Sequence, residues 1–360
     1  NVYRKLQEHL NKTPTGFPTA DSGADTRLLR HIFTPEEAEL ALYLRFGWDK
    51  DLETLEDIYT RMQDKDITLQ ELEEKLDLMA KKGAINSKRE NGKKYYGIAA
   101  LIVGMYEYQV DKLSKEFLKD LDDYLNEVQY PNTSKLNHQQ LRIIPIDIKV
   151  EPEHHIAPYD NIRVIIESSK GPFAKINCIC RQAHEIEGEP CQMSEHIDNC
   201  IGLGSMAQNY ITQGWGVEIS KKETLQILKR SQEEGLIFRP NNAKKVDFIC
   251  SCCYCCDGGI AKLVNLPDSA NYVLSNYYAG IDPELCIGCG TCVDRCQIKA
   301  CTLEDNISVI NPKKCIGCGN CVISCKSGAI TLYKKKEQHT PPETMDDLFN
   351  EMLKEKLNKS

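Results

Sequence analysis

Two stretches of this sequence repeat one spacing of four cysteines. Residues 286–297 read CIGCGTCVDRCQ, and residues 315–326 read CIGCGNCVISCK. Each is C-x2-C-x2-C-x3-C, a spacing that suits [4Fe–4S] clusters. Three closely spaced thiolates on a glycine-containing loop reach three irons of one cluster, and the turn that follows carries the fourth thiolate to another. The chemistry indicated is electron transfer.

The spacing predicts two clusters whose ligand sets exchange their fourth members. We expect one cluster on Cys286, Cys289, Cys292 and Cys325, and a second on Cys315, Cys318, Cys321 and Cys296. Zinc ribbons share C-x2-C pairs, but not two complete runs of four. The runs belong to an internal repeat with an offset of 29 residues, which aligns Cys301 with Ile330. Cys301 is therefore interpreted as a buried apolar side chain rather than a ligand.

Nine further cysteines lie between residues 178 and 256. They are Cys178, Cys180, Cys191, Cys200, Cys250, Cys252, Cys253, Cys255 and Cys256. A disulfide framework is typical of small secreted domains, and the start of this chain does not read as a secretory signal. Structural cysteines do not cluster in this way, so we interpret these residues as metal ligands.

The first four of these cysteines are predicted to hold a third [4Fe–4S] cluster. They are Cys178, Cys180, Cys191 and Cys200, with the spacing C-x-C-x10-C-x8-C. Zinc is the alternative, although its structural sites prefer C-x2-4-C pairs. Arg181, His184 and His196 could hydrogen-bond the sulfurs, and His196 is an alternative ligand.

The other five cysteines form the run ICSCCYCCD at 249–257. Five thiolates exceed the four iron corners of one cluster, and adjacent residues of an extended chain point to opposite faces. The run is therefore expected to serve more than one centre, and a fourth cluster is left open. The predicted division sets Cys253 and Cys256, or their neighbours, apart from Cys250, Cys252 and Cys255.

Strands must bring the two groups of middle cysteines together. The apolar stretches at 174–180 and 244–250 each end in cysteine and are predicted strands of one small sheet. A surface helix is expected from Ser220 to Gly235, followed by a strand. The stretch GLGSMA at 202–207 fits a dinucleotide-binding pattern, but we do not expect it at a strand-to-helix turn of a β-α-β unit.

The front of the chain is predicted to be helical. Helices are expected after Thr34, at about 52–62 and over 68–83, and Asn91-Gly92 then marks a hairpin. Three helices and a hairpin indicate a winged-helix arrangement, which raises DNA binding as an alternative function. The third helix carries four carboxylates that would face phosphates unfavourably. They belong to Glu71, Glu73, Glu74 and Asp77.

The tail of the chain is predicted to form an amphipathic helix. Its apolar residues stand at helical spacing. They are Met345, Leu348, Phe349, Met352 and Leu353. The helix either packs on its own domain or docks in the groove of a partner.

Composition excludes some classes of protein. A net charge of −8 argues against a general nucleic-acid binder. The longest apolar stretch, at 97–106, is too short to span a bilayer. We therefore expect a soluble, cytoplasmic protein.

Taken as a whole, the sequence resembles multidomain iron–sulfur proteins of anaerobic bacteria and archaea. The resemblance rests on residues 16–42, CICR at 178–181, ISKKETLQIL at 219–228, the run at 250–256 and the two cysteine repeats, which resemble two-cluster ferredoxins over about 278–333. Two departures are visible. Ferredoxins usually have Pro after each fourth cysteine, where this chain has Gln297 and Lys326, and relatives tend to carry one more cysteine where Asp257 stands.

The patterns and the resemblance together imply a multidomain α+β fold. The predicted segments are an N-terminal arm (1–32), a helical, winged-helix-like domain (33–130), a small cysteine-rich α/β domain (131–277), a βαβ-type ferredoxin domain with two [4Fe–4S] clusters (278–335) and a helical tail (336–360).

These features predict an iron–sulfur electron-transfer protein that works as a subunit or partner of a larger anaerobic redox complex. No catalytic residue is assigned, because the sequence shows no paired acid and base and no nucleophile beside a base. Two alternatives stay open. One is a reductase that acts on a disulfide or thiol at an unusual middle cluster, and the other is a DNA-binding redox sensor.

Overall fold

The computed structural model describes residues 1–129, 139–146 and 156–359. The chain forms two compact units. The first comprises Asn1–His138, Thr212–Trp215 and Glu343–Ser360, and the second comprises Gln139–Ile211 and Gly216–Pro342. Helices and small sheets are mixed along the chain, so the α+β class is confirmed. Within the described ranges, no helix is both long enough and apolar enough to cross a membrane.

The elements are numbered in chain order. The helices are α1 (Val2–Asn11), α2 (Ala24–Ile32), α3 (Pro35–Ala41), α4 (Leu55–Thr60), α5 (Leu69–Lys82), α6 (Lys115–Tyr124), α7 (Ile162–Ser168), α8 (Ile179–Glu187), α9 (Gly204–Gln213), α10 (Lys221–Glu233), α11 (Gly258–Asn265), α12 (Thr291–Arg295), α13 (Asn320–Ser324) and α14 (Met345–Lys359). The strands are β1 (Glu53–Thr54), β2 (Ile85–Glu90), β3 (Lys93–Ile98), β4 (Phe173–Ile176), β5 (Cys200–Leu203), β6 (Gly216–Ile219), β7 (Ile237–Pro240), β8 (Phe248–Cys252), β9 (Tyr277–Ile281), β10 (Cys301–Glu304), β11 (Ile307–Ile310) and β12 (Ile330–Lys334).

Local sequence explains where the front helices begin and end. The Thr34 and Thr68 hydroxyls accept hydrogen bonds from the third residues of α3 and α5, and glutamates there return the bond, which completes two capping boxes. Gly83 ends α5 in the left-handed conformation. Asn91 and Gly92 also have positive φ and join β2 to β3, so the predicted hairpin is confirmed.

The carboxylates of α5 pair with basic residues of this hairpin. Lys94 forms ion pairs with Glu73 and Asp77, and Arg89 Nη2 lies 3.5 Å from Asp77 Oδ2. Cations that already face carboxylates of their own unit are less available to the phosphates of DNA. The DNA-binding alternative therefore gains no support from this surface, and the winged-helix interpretation stays a prediction.

Both ends of the chain belong to the first unit. The segment predicted as an arm contains α1 and α2, whose Leu6 and Leu28 are fully buried. The apolar face of α14 is buried as well, and the Phe349 ring centroid lies 4.9 Å from that of Phe46 and 5.9 Å from that of Trp48. The tail helix thus packs on its own unit.

The second unit contains a five-stranded sheet in the order β6-β4-β5-β8-β7, with every neighbouring pair antiparallel. The predicted strands that lead into the two groups of middle cysteines, β4 and β8, share this sheet, with β5 between them. GLGSMA lies where β5 runs directly into α9 at Gly204. The antiparallel neighbours of β5 nevertheless differ from the parallel β-α-β unit that a dinucleotide site requires.

The end of the second unit, which we call the ferredoxin lobe (277–334), displays the repeat in three dimensions. Its first half runs β9, cysteine loop, α12 and β10, and its second half runs β11, cysteine loop, α13 and β12. β9 pairs with β12, and β10 pairs with β11, both antiparallel. Each half therefore supplies one strand to each two-stranded sheet.

We predict that Phe349→Ala lowers the free energy of unfolding of the first unit by about 3–5 kcal/mol, because it removes a buried ring from contact with Phe46 and Trp48. Both tryptophans of the chain, Trp48 and Trp215, lie in this unit, so their fluorescence during urea unfolding reports its stability. The matched control is Leu357→Ala on the same helix, where the side chain is 67% exposed. Equal effects of the two substitutions would contradict this packing.

Candidate metal centres

The four cysteines predicted for the second ferredoxin cluster line one cavity. They are Cys296, Cys315, Cys318 and Cys321. Two backbone amides donate to their sulfurs, from Ala279 to Cys315 at 3.3 Å and from Ala300 to Cys296 at 3.2 Å. N–H···S hydrogen bonds stabilise the thiolates that bind an iron–sulfur cluster. The residues present therefore fit the predicted group.

Two of the four cysteines predicted for the first cluster contact Ser308. The backbone amide of Ser308 donates to Cys286 Sγ at 3.4 Å, and its hydroxyl oxygen lies 2.9 Å from Cys292 Sγ. Hydrogen bonds from Thr291 lower the pKa of the exposed Cys289 thiol, and the charge of Lys326 acts in the same direction. Lys326 directly follows Cys325, the predicted fourth member of the set.

The repeat makes these contacts symmetric, with two exceptions. Ala279 and Ser308 are equivalent under the offset of 29, and each donates its amide to the first cysteine of the opposite half. Ala279 has no hydroxyl, so only the first set gains the extra contact from Ser308. Cys301 is 4% exposed, which confirms its predicted burial, but its thiol hydrogen-bonds with those of Cys296 and Cys321 beside the second set. Sequence reasoning missed this contact.

The nine middle cysteines fall into two groups that differ from the predicted sets. The strand group is Cys178, Cys180, Cys200, Cys250 and Cys252, whose thiols lie close enough to shift one another's pKa values. The turn group is Cys191, Cys253, Cys255 and Cys256, whose sulfurs all lie within 4.8 Å of one another. Cys191 thus groups with Cys253, Cys255 and Cys256 rather than with its three predicted companions, although Cys180 also packs against this cluster.

Sheet register assembles the strand group. Ile201 of β5 faces Ile249 of β8, so one further antiparallel step sets Cys200 opposite Cys250. Cys252 lies two residues further along β8, on the same face as Cys250. Cys178 is the N-cap of α8, whose first turn carries Cys180.

A tight turn assembles the turn group. β8 ends at Cys252, and the carbonyl of Cys253 then accepts hydrogen bonds from the amides of Cys256 and Asp257. The turn curls Cys253, Cys255 and Cys256 toward one point, and Cys191 reaches that point from the segment after α8. The end of β8 therefore divides the run of five cysteines between the two groups.

The buried Arg181 and the half-buried Arg239 accompany these thiols. Arg181 donates from Nε to Cys191 Sγ at 3.3 Å, and its Nη2 lies 3.9 Å from Cys253 Sγ. Burial lowers the pKa of Arg181, but the nearby thiols of Cys178 and Cys253 outweigh that effect and leave it raised. Arg239 contacts the strand group at Cys252 and is held by both carboxylate oxygens of Asp257 at 2.8 Å. Arg239 thus serves the strand group, and Arg181 interacts with thiols of both groups.

The two histidines that were predicted to contact the sulfurs lie near carboxylates. His196 Nε2 lies 3.7 Å from Glu234, and His184 Nδ1 lies 3.9 Å from Glu189. Among the three residues predicted to hydrogen-bond the sulfurs, Arg181 makes such a contact in the described structure.

Each group contains one thiol whose pKa is lowered. Hydrogen bonds from Cys180 and Cys200 hold the pKa of Cys178 well below its ordinary value. A hydrogen bond from the Cys256 thiol, with a contribution from Arg181, lowers the pKa of Cys253 to about 6. The thiolate is the form that binds metal. Burial and the neighbouring thiols raise the pKa of the remaining strand-group thiols and of Cys255 and Cys256.

The ferredoxin lobe and the turn group are joined by one side chain. Gln297, directly after Cys296, accepts a hydrogen bond from the Tyr254 amide at 2.8 Å and donates to the Gly235 carbonyl. Asn320 donates to the same carbonyl at 2.8 Å. Proline, the usual residue at the position of Gln297, has no side-chain amide and could make neither contact. Glutamine in place of the usual proline thus allows the hydrogen bonds to Tyr254 and Gly235.

Comparison with known proteins agrees with this geometry in the ferredoxin lobe. Residues 278–326 match a family model described as a 4Fe-4S dicluster domain. The lobe is a ferredoxin-type iron–sulfur domain. No curated protein matches the chain, so the predicted resemblance over the rest of its length stays a prediction.

We predict that Gln297→Ala speeds amide hydrogen exchange at Tyr254, because that amide loses its acceptor. Leaving buried partners unpaired should also cost about 1–3 kcal/mol of stability. Mass spectrometry of peptides covering 250–257 measures the exchange. Lys326→Ala is the matched control, since Lys326 is exposed and occupies the equivalent position of the other cysteine run. The bridging role fails if both variants exchange these amides alike.

Proposed function

We propose that the protein transfers electrons between the two clusters of its ferredoxin lobe and at least one further iron–sulfur cluster in the second unit. The supporting observation is the short connection between the cysteines. Cys296 precedes Gln297, which is hydrogen-bonded to Tyr254 at 2.8 Å, and Tyr254 lies two residues from Cys252. Consecutive Cα atoms are about 3.8 Å apart, so few bonds separate a ligand of the second cluster from the strand group.

The strand group is the site that we propose for the third [4Fe–4S] cluster. It offers five thiols where four are needed, and Cys178 already favours the thiolate form. The positive charge of Arg239 offsets part of the negative charge that gathers there. Asp257, which stands where relatives carry a cysteine, holds this guanidinium in place.

Reversible one-electron chemistry is what iron–sulfur clusters supply when bound. The chain's own residues set the local conditions for it. Amide and hydroxyl donors contact the sulfurs of the ferredoxin lobe, and arginines contact those of the middle cysteines. More donors and more positive charge stabilise the reduced state, so these contacts raise the reduction potentials of the groups that they touch.

We propose that a redox partner, or another subunit of a larger anaerobic complex, docks beside the first ferredoxin cluster. Cys289 is exposed there, and the neighbouring Ile287 and Leu285 are 71% and 50% exposed. An apolar edge around an exposed ligand suits transient contact with a partner. Because the apolar face of α14 is buried in the first unit, that helix is not proposed as the docking element. A cytoplasmic location stays a prediction.

The proposal is tested by counting acid-labile sulfide in protein purified without oxygen. We expect about 12 sulfides per chain, four for each of three clusters. The double variant Cys200→Ala/Cys250→Ala leaves three thiols in the strand group, so it should lower the count to about 8 and remove one of the electrons taken up in a reductive titration. The control is Cys301→Ala, which replaces a buried thiol outside all the proposed ligand sets and should keep about 12. A wild-type count near 8 would contradict a third cluster.

A second candidate function is the reduction of a disulfide, and the fifth thiol of the strand group favours it. A thiolate left free of iron can attack a disulfide, forming a mixed disulfide and releasing one thiolate. Two electrons, which the clusters of the ferredoxin lobe would supply when reduced, and one proton from solvent would then restore the protein thiolate and release the second product as a thiol. We expect a small disulfide to change the visible spectrum of the middle cluster only if this function is real. An unchanged spectrum supports electron transfer alone.

A further inference from the structure

We infer that the turn group holds a single tetrahedral metal ion, zinc or iron, bound by the four thiolates of Cys191, Cys253, Cys255 and Cys256. This site is separate from the cluster proposed for the strand group and does not depend on it.

The distances between the sulfurs carry the inference. Cys253 Sγ lies 3.6 Å from the sulfurs of both Cys191 and Cys255. Cys255 Sγ lies 3.8 Å from that of Cys191 and 3.7 Å from that of Cys256. With metal–sulfur bonds of about 2.3 Å, the edges of a regular tetrahedron of sulfurs are about 3.8 Å long. The four thiols are therefore spaced to surround one ion.

A cubane cluster requires a different spacing. It binds each thiolate through a different iron at a separate corner, so its ligands spread further apart than those around one ion. Among the described residues, the turn group is the one set of metal-binding side chains whose ligand atoms all lie within 4.8 Å. The ferredoxin cysteines do not form such a compact set, as expected for ligands of cubane clusters.

The surroundings also suit a tetrathiolate site. Cys253 and Cys256 are buried, and with the fully buried Leu236 they form a small apolar cluster. A divalent ion with four thiolates carries a net charge of −2, which burial disfavours unless a cation is close. Arg181 supplies that cation, with its Nε 3.3 Å from Cys191 Sγ. Its guanidinium is anchored by donation to the Ser251 carbonyl at 3.1 Å.

Such an ion would act as a cross-link. It ties the segment around Cys191 to the turn that follows β8, and Arg181 is held between them. Cys252 of the strand group and Cys253 of the turn group are consecutive, so the ion also fixes the edge of the neighbouring site. A zinc ion would do this alone, whereas an iron ion would add a further one-electron centre.

The wild-type protein provides the first test. Iron, zinc and acid-labile sulfide are measured per chain after anaerobic purification and removal of loosely bound ions with a chelator. Clusters contribute equal numbers of iron and sulfide, so one mononuclear site leaves an excess of about one metal ion over sulfide. The element in excess identifies the ion. Equal numbers of metal and sulfide would overturn the inference, whatever the number of clusters.

Substitution provides the second test. Cys191→Ala removes the one ligand outside the run at 250–256, and we expect it to abolish the excess ion while sulfide stays unchanged. The double variant Cys200→Ala/Cys250→Ala, which leaves three thiols in the strand group, should do the reverse by lowering sulfide and keeping the excess ion. Loss of about four irons and four sulfides in Cys191→Ala would show a cubane at this site. Retention of the excess ion would place it elsewhere, and either result refutes the proposal.

Discussion

The architecture of the second unit depends on where β8 ends. Along a strand, alternate residues share a face, so Cys250 and Cys252 point together toward Cys200 across the sheet. Beyond Cys252 the chain turns, and the next three thiols are directed elsewhere. Because one cluster accepts four thiolates, a continuous strand through this run could not satisfy five cysteines. The change from strand to turn supplies each group with its own ligands.

The second constraint is the contact between the ferredoxin lobe and the segment that carries the middle cysteines. Electron transfer requires redox centres that lie close together. The side-chain amide of Gln297 contributes to this, because it accepts a hydrogen bond from Tyr254 and donates one to Gly235. The same position in the other half of the repeat carries the exposed Lys326. The two halves of the repeat thus have equivalent cysteine runs but differ at the position after the fourth cysteine, where one half contacts the rest of the unit. The first cysteine set has an exposed edge at Cys289, whereas the second set is followed by Gln297, which contacts Tyr254.

Local patterns predicted much of this structure. The helices that begin after Thr34 and Thr68, the Asn91-Gly92 hairpin and the shared sheet of β4 and β8 depend on residues close in sequence or on simple periodicity. The ferredoxin repeat was readable because its spacing follows from the geometry of the cluster. The sequence alone also indicated that five adjacent cysteines need more than one centre.

The grouping of the middle cysteines could not be predicted in the same way. Cys191 lies near Cys178 in sequence but joins residues more than fifty positions away, because α8 separates it from the sheet edge. The register that sets Cys200 opposite Cys250 depends on pairing between distant strands. The role of Gln297 was visible only as a departure from the usual proline, a signal that marked the position but not its contact.

Anomalous diffraction at the iron absorption edge, from crystals grown without oxygen, tests the central claim most directly. The account predicts iron peaks at both cysteine sets of the ferredoxin lobe and a further cluster peak among the thiols of the strand group. Iron confined to the ferredoxin lobe, with bare thiols or disulfides at Cys178, Cys200 and Cys250, would contradict it.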